Sequence, residues 1–257
     1  MALHRIYLPD DQPASDVTPG AVLEIAGQEA RHAVRVKRVE TGDPIELLDG
    51  RGLRASAVLA DSRKHAAGRG KAEWVVRVEI RSVRTEPPTS PRLHVLACAP
   101  KLTRVEDMVD QLSQVGASAW SPLVTSHTIA PAKAERAEKF ERVATEATKQ
   151  CGRVWTMEIG RPVRFEDVLS RSDRAIGGQT WLVLADPSGT PYSRTGAEDI
   201  ALLIGPEAGF TEAEVEAARQ AGATLCNIGP HLMRVGTAAV VASGIILNAE
   251  RSPERVP

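Results

Sequence analysis

Two glycine-containing loops, Ile204–Phe210 (IGPEAGF) and Ile228–Thr237 (IGPHLMRVGT), decide how the C-terminal part of this 257-residue chain reads. Each follows an apolar, strand-like run and precedes a helix-like one. In the first loop, Pro206 stiffens the turn after Gly205, and Gly209 allows backbone to approach a ligand closely. Thr211 and Glu214 then stand at capping-box spacing, so the unpaired N–H groups of a helix start crowd the loop. In an open α/β sheet the carboxyl end of a parallel strand is where a ligand is expected. One such loop reads as an ordinary strand–turn–helix connection; two of them point to a pocket built from backbone. The sequence has no GxxxxGK[ST], which excludes a P-loop, and no GxGxxG after a strand, so a dinucleotide site is unsupported.

The second loop adds Arg234, flanked by Leu232 and Met233. A guanidinium fixed by a tight loop can hold a phosphate or stabilise an oxyanion developing on a base. Its alternative is a structural arginine paired with a carboxylate. Glu207 can orient a substrate imide or accept its proton, or serve only as an anion near the Thr211 helix N-terminus.

Outward from these loops, strands alternate with amphipathic helices. Strands are expected at Leu93–Cys98, Ala119–Val124, Trp181–Leu184, Ile200–Ile204 and Leu225–Ile228. Helices are expected from Thr103 to Gly116, at Ala132–Gln150, from Thr211 to near Gly222, and at Ala238–Ala249. The first carries the apolar stripe Val105, Met108, Val109, Leu112 and Val115, with Glu106 completing a Thr103 capping box. The alternation predicts an α/β domain over 92–257 with a mainly parallel sheet. Residues 85–91, around the proline-rich TEPPTSP, read as a linker. Residues 1–84 read as short strands with turn punctuation, which suggests a small β-barrel. Ser62–Lys71 is expected to be a polar loop, and Glu29–Arg38 one or two helical turns.

Composition narrows the function classes. Hydrophobic content of 42% and charged content of 25% are those of a globular protein. Aromatics at 4% argue against a broad base-stacking platform. Cys98, Cys151 and Cys226 are odd in number and lack CxxC spacing, which argues against zinc, any other metal site and a disulfide framework. No signal-peptide pattern or bilayer-length apolar run occurs, so a cytoplasmic protein without a membrane partner is expected. The net charge of −1 conceals an uneven distribution: residues 51–84 carry nine Lys/Arg against three Asp/Glu. A basic N-terminal face is the footprint of phosphate contact, although a solvated charged surface would look the same.

The paired loops IGPEAGF and IGPHLMRVGTAA resemble the cofactor loops of the SPOUT methyltransferases, and more narrowly those of the RsmE family. RHAVRVKRVETGD followed by LLDGRG is similar to that family's N-terminal PUA-like barrel signature. Lys101, Arg104 and Glu106 match its KxxRxE segment, and Glu146–Arg153 its EAxxQxGR helix end. The resemblance implies a C-terminal domain with a deep trefoil knot, a PUA-like β-barrel, and a homodimer formed through the knotted domain. It implies S-adenosyl-L-methionine as methyl donor and N3 of a uridine in 16S rRNA, free or in the small ribosomal subunit, as acceptor. The implied donor pocket comprises Leu184, Ile204, Gly205, Pro206, Glu207, Gly209, Ile228, Gly229, Leu232, Met233, Thr237 and Ala238. Arg234 and Glu207 are the catalytic candidates. His32, Arg35, Arg38, Arg51, Arg54, Lys101, Arg104 and Arg153 are the RNA-contact candidates.

The sequence departs from the family pattern at three places. Ala208 stands for a glycine, which requires a negative φ there. Gly236 replaces a glutamate. Gln111 and Gln114 replace residues of a QKxxELG segment, losing opposite charges together. Two other readings stay open: a SPOUT ribose 2′-O-methyltransferase acting on tRNA or rRNA, and a non-enzymatic RNA-binding protein that kept the fold.

Overall fold

The computed structural model describes residues 4–9, 12–67, 71–100, 102–128, 136–170 and 180–251, in two compact units. The first unit comprises Met1–Pro88 and Thr148–Thr156. Its sheet is built from β1 (His4–Tyr7), β2 (Val22–Ala26), β3 (Pro44–Leu48), β4 (Leu53–Ala67) and β5 (Lys71–Thr85), in the order β1-β3-β4-β5-β2. β1 runs parallel to β3, and the other pairs are antiparallel. Alternation sets the core: in β2, Leu23 and Ile25 are buried while Val22, Glu24 and Ala26 face out. They join Ile6, Ile45, Leu47, Val76, Val78 and Ile80 in one apolar cluster. After β2 the chain makes α1 (Gly27–Arg31) and a π-helical turn, His32–Val36, as the helical reading of this segment expected.

The structure corrects the loop expected at Ser62–Lys71. β4 and β5 continue as one long hairpin whose pairing reaches Ala67↔Lys71. Ser62, Arg63 and Lys64 have weak strand propensity, but they lie opposite Val76, Val75 and Trp74, and the ladder to those strand formers decides the conformation.

The segment Thr148–Thr156 completes this unit through backbone contacts to the LLDGRG signature. Gly52 N donates to Val154 O, Thr156 N to Gly50 O, and the Trp155 indole N–H to Glu86 O, at 2.9, 3.0 and 2.9 Å. A Cβ at Gly52 would lie 2.7 Å from the Trp155 ring, and one at Gly50 would collide with Thr156 Oγ1. These signature glycines admit the returning segment.

The second unit comprises Thr89–Ala147 and Met157–Pro257. Its strands are β6 (Arg92–Ala97), β7 (Ala119–Val124), β8 (Glu158–Ile159), β9 (Val163–Arg164), β10 (Thr180–Thr190), β11 (Asp199–Ile204) and β12 (Thr224–Cys226). The sheet order is β12-β10-β11-β6-β7-β8, with β9 also beside β7, and every pairing is parallel. All six residues of β11 are buried, as a parallel strand covered on both faces requires. The helices are α2 (Leu102–Val115), α3 (Ala137–Cys151), α4 (Phe165–Ser170), α5 (Glu212–Gln220) and α6 (Val235–Glu250).

The expected apolar stripe of α2 is buried at Val105, Met108, Val109 and Leu112, while Val115 is half-buried. The side chain of Thr103, proposed as its cap, and residues 132–135 of the next expected helix lie outside the described residues. Two boundaries move in ways that matter for the site. β12 ends at Cys226, which leaves Ile228 in the loop, and α6 begins at Val235, three residues before the expected Ala238.

Candidate active site

β11 ends at Ile204 and β12 at Cys226, and between them the regular pairing of β10 with β11 stops at Leu184, beyond which β10 shifts register against β12. Leu184 of β10 is in register with Leu203 of β11 on one side and Leu225 of β12 on the other. The chain segments that follow Leu184, Ile204 and Cys226 therefore form three sides of one cradle at the carboxyl edge of the sheet. Ala185 and Asp186, beyond Leu184, were not singled out in the sequence. Asp186 accepts from Ser188 N at 2.8 Å, and Asn227 Nδ2 donates to Pro187 O at 3.1 Å, which ties the first loop to the third.

The Ile204–Phe210 loop folds as the sequence suggested. Gly209 N donates to Pro206 O at 2.8 Å, closing a turn over Glu207 and Ala208. Gly209 takes a φ of +76°, while Ala208 is absent from the positive-φ residues, so its methyl group is tolerated. Thr211 caps α5: its hydroxyl accepts from Glu214 N, and the Glu214 carboxylate accepts from Thr211 N. Glu207 is exposed.

In the third loop Asn227 Oδ1 accepts from Gly229 N at 3.0 Å, and Arg234 is the N-cap of α6. Arg234 is exposed and, among the described residues, makes no side-chain hydrogen bond or ion pair. The carboxylate-paired alternative for this arginine therefore has no partner there. Leu184 and Ile204 are buried, and Ile228, Gly229, Met233 and Ala238 are half-buried around the cradle. Leu232, in contrast, is 91% exposed, and Thr237 is also exposed, so neither is an enclosed wall in this chain.

The cradle suits a flat, partly apolar ligand held by backbone. A Cβ at Gly205 would lie 3.1 Å from the Phe210 ring, and one at Gly229 would lie 2.8 Å from Met233 Cε, so both loops use glycine where space is short. Among the described residues the N–H groups of Glu207, Ala208, Leu232 and Met233 have no backbone acceptor, leaving donors at the rim.

A fourth element reaches the same loop without any local sequence signal. The turn after β7, Thr125–Thr128, is closed by Thr125 N donating to Thr128 Oγ1 at 2.8 Å. Ser126 N donates to Glu214 Oε1 at 2.9 Å, and His127 Nδ1 lies 3.1 Å from the Gly209 carbonyl oxygen. Burial would raise the Glu214 carboxyl, but the hydrogen bonds from Ser126 and Thr211 outweigh it and hold its pKa below the ordinary value. Behind this turn lies the buried Cys98 thiol, raised by burial and by the charges of Glu207 and Glu214.

The RNA-contact candidates divide by environment. His32, Arg35, Arg38 and Arg51 are exposed on the first unit, and Arg104 is exposed on α2. Lys101 lies outside the described residues. Arg54 is mostly buried and donates to Glu46 at 2.6 Å, Glu86 at 2.8 Å and Gly152 O at 2.9 Å. Its guanidinium is committed to these three partners on the sheet face opposite the apolar core, which corrects its reading as a backbone contact. Arg153 is half-buried, and desolvation depresses its pKa.

A Cβ at Gly236 would meet Met108 at an ordinary 3.6 Å. Gln111 and Gln114 are exposed on α2, and Gln114 donates to Asp110 at 2.7 Å.

The model of the RNA methyltransferase domain matches residues 87–247, and that of the RNA methyltransferase PUA domain matches residues 25–68. A Mycobacterium bovis protein named ribosomal RNA small subunit methyltransferase E is 27% identical over 235 residues, covering 88% of this chain and 86% of that one. A Bacillus subtilis protein of the same name is 24% identical, covering 87% and 89%. The crystal structure of a ribosomal RNA small subunit methyltransferase E from Neisseria gonorrhoeae, bound to S-adenosyl methionine, superimposes with a TM-score of 0.75 at 22% identity, covering 94% and 95%. That likeness bears on the fold, a parallel α/β domain with an N-terminal PUA-like domain, and it agrees with the RsmE resemblance read from the motifs. With that fold, the paired loops and the match over residues 87–247 together, this chain belongs to the RNA methyltransferase domain family.

Proposed function

We propose that this protein methylates N3 of a uridine in 16S rRNA of the small ribosomal subunit, with S-adenosyl-L-methionine as donor. The observation that carries the reading is Arg234: an exposed guanidinium with no carboxylate partner among the described residues, at the mouth of a cradle built from backbone. The names of the Mycobacterium and Bacillus relatives supply the substrate class.

The donor would lie in the cradle between Leu184, Ile204–Gly209, Ile228–Gly229 and Met233–Ala238, with Leu232 and Thr237 at its open side. When bound, it supplies an electrophilic methyl group on a sulfonium. The free N–H groups of the second and third loops would read polar edges of the donor, and Leu184, Ile204 and Met233 would enclose its apolar parts. The acceptor nitrogen is a weakly acidic imide, so loss of its proton is the demanding step. Arg234 stabilises the charge that builds on the adjacent uracil oxygen. Glu207 orients the imide at the rim.

The barrel, residues 1–84, would hold the RNA backbone through Arg35, Arg38 and Arg51, with His32 beside them. Residues 85–91 then link it to the catalytic domain, 92–257. Phosphate contacts of this kind position an enzyme without specifying sequence. In the homodimer that the resemblance implies, Lys101, Arg104 and Arg153 would serve the active site of the second copy. The trefoil knot and the homodimer follow from the resemblance. Leu232, Val241 and Ile245 are exposed apolar residues, the last two on one face of α6, and suit burial against a second copy. No described helix is long and apolar enough to cross a membrane, and a cytoplasmic site of action fits rRNA as substrate.

Nucleoside mass spectrometry with site mapping on small-subunit rRNA from a strain lacking this gene tests the reading. The expected result is loss of 3-methyluridine, restored by the wild-type gene and not by Arg234→Ala. Unchanged 3-methyluridine with a missing ribose methyl would overturn it in favour of 2′-O-methylation.

A further inference from the structure

The cradle accounts for donor binding and for charge on the uracil oxygen, but it leaves open which side chain takes the proton. Glu207 is the only titratable side chain in the Ile204–Phe210 loop, and among the described residues no hydrogen bond or ion pair fixes its orientation. His127 differs. It comes from the turn after β7, and its imidazole is anchored to the loop: Nδ1 lies 3.1 Å from the Gly209 carbonyl oxygen. A carbonyl oxygen only accepts, so Nδ1 carries the hydrogen, and in the neutral ring Nε2 is the nitrogen with a free lone pair. The ring is exposed, and among the described residues Nε2 has no partner.

The anchor is reinforced on both sides. Ser126 N donates to the buried Glu214 carboxylate, which also accepts from the Thr211 cap, so turn and loop are joined one residue away. On the other side Thr128 Oγ1 closes the turn onto Thr125 and approaches the Cys98 thiol at 3.7 Å. Among the described residues, the titratable groups on the elements packed against His127 are Cys98 after β6, Glu207 in the loop, and Glu212 and Glu214 at the start of α5.

We propose that His127 is the catalytic base of this enzyme, taking the N3 proton of the target uridine on Nε2. The proposal rests on the functional reading above. In the step, the N3–H bond breaks and its proton passes to Nε2. The N3 electron pair forms the new bond to the methyl carbon, and the pair of the breaking carbon–sulfur bond remains on sulfur. The positive charge moves from the sulfonium to the imidazolium, which returns its proton to water. Arg234 and His127 thus divide the work: one holds the negative charge on oxygen, the other removes the proton that creates it.

The test compares wild type with His127→Asn, whose amide can still donate to the Gly209 carbonyl, and with His127→Ala, which cannot. Substrates are small subunits reconstituted on rRNA transcribed with uridine or with 5-fluorouridine, whose N3–H is more acidic. Both variants should bind S-adenosylmethionine by calorimetry within about twofold of wild type. His127→Asn should slow single-turnover transfer to uridine by about 10²-fold, the low end for a lost general base. With 5-fluorouridine the deficit should shrink at least about tenfold, because a more acidic imide needs less help from a base. Independently of activity, nitrogen NMR of the free wild-type protein should show His127 protonated on Nδ1 and bare on Nε2.

A His127→Asn enzyme as fast as wild type overturns the proposal, as does an equal deficit on both substrates or a ring protonated mainly on Nε2. A wild-type enzyme that binds donor but methylates an atom other than N3 overturns the functional reading itself, and the proposal with it.

Discussion

Arg54 and Arg234 carry the same side chain into opposite circumstances. In the barrel, Arg54 is 17% exposed and spends its donors on Glu46, Glu86 and a backbone carbonyl. Glu46 answers it: burial would raise that carboxyl, and the hydrogen bonds from Arg54 and Arg5 outweigh burial, so its pKa lies below the ordinary value. In the cradle, Arg234 stands at a helix start with no such partner among the described residues. A guanidinium already neutralised cannot respond to new charge, whereas one held by backbone alone is ready for it. The barrel uses the Arg54 charges to fix its shape, whereas the role proposed for Arg234 keeps its charge for the substrate.

The comparison breaks most readily at Arg234. Arg234→Ala should keep donor affinity, measured by calorimetry, and lower the methyl-transfer rate by about 10³-fold, as loss of an oxyanion-stabilising donor does. Equal loss of both would make Arg234 a structural residue like Arg54. Arg54→Ala should act the other way, destabilising the protein by about 3 kcal/mol in urea unfolding because the Glu46 carboxylate stays buried with one partner fewer. Its effect on RNA affinity at matched folded protein should be negligible.

A pH titration of stability sharpens the contrast between buried and exposed groups. His94, on β6, lies 2.9 Å from Ser121 Oγ, and burial depresses its pKa from 6.5 to about 4. Between those values the unfolded chain binds a proton that the folded one refuses, so this contribution is complete above pH 6.5 and is lost as pH falls toward 4. The loss amounts to about 3 kcal/mol, and His94→Gln should flatten the curve of unfolding free energy over that window. The smallest effect belongs to the exposed cations of the barrel. Arg35→Ala should weaken RNA binding by well under 1 kcal/mol at physiological salt and reduce the slope of log affinity against log salt by about one. An unchanged slope would remove Arg35 from the RNA face.

What the sequence disclosed follows from how local each interaction is. The Thr211–Glu214 capping box is a contact over three residues, and it appears where the motif placed it. The stripe of α2 is a property of one helix, and it too was legible. The hairpin over Ser62–Lys71 was not, because its conformation is set by Val76, Val75 and Trp74 on the opposite strand. Arg54 and Arg35 look alike in a charge count and differ only through Glu46 and Glu86, one of them 32 residues away. The cradle itself was half visible. Two of its loops carry motifs, whereas Ala185–Asp186 and the His127 turn join it only through sheet register and contacts as distant as 88 residues.

The return of Thr148–Thr156 to the first unit has a bearing on how the protein is made. Every strand of the barrel has been synthesised by Thr85, yet the residues that cover Gly50 and Gly52 follow more than sixty positions later. A nascent chain therefore cannot finish its first domain before much of the second has left the ribosome, and N-terminal-first folding is suspended partway. By the same logic an excised barrel ending at Pro88 needs the Thr148–Thr156 peptide added back, in cis or in trans, to regain the Trp155 and Val154 contacts.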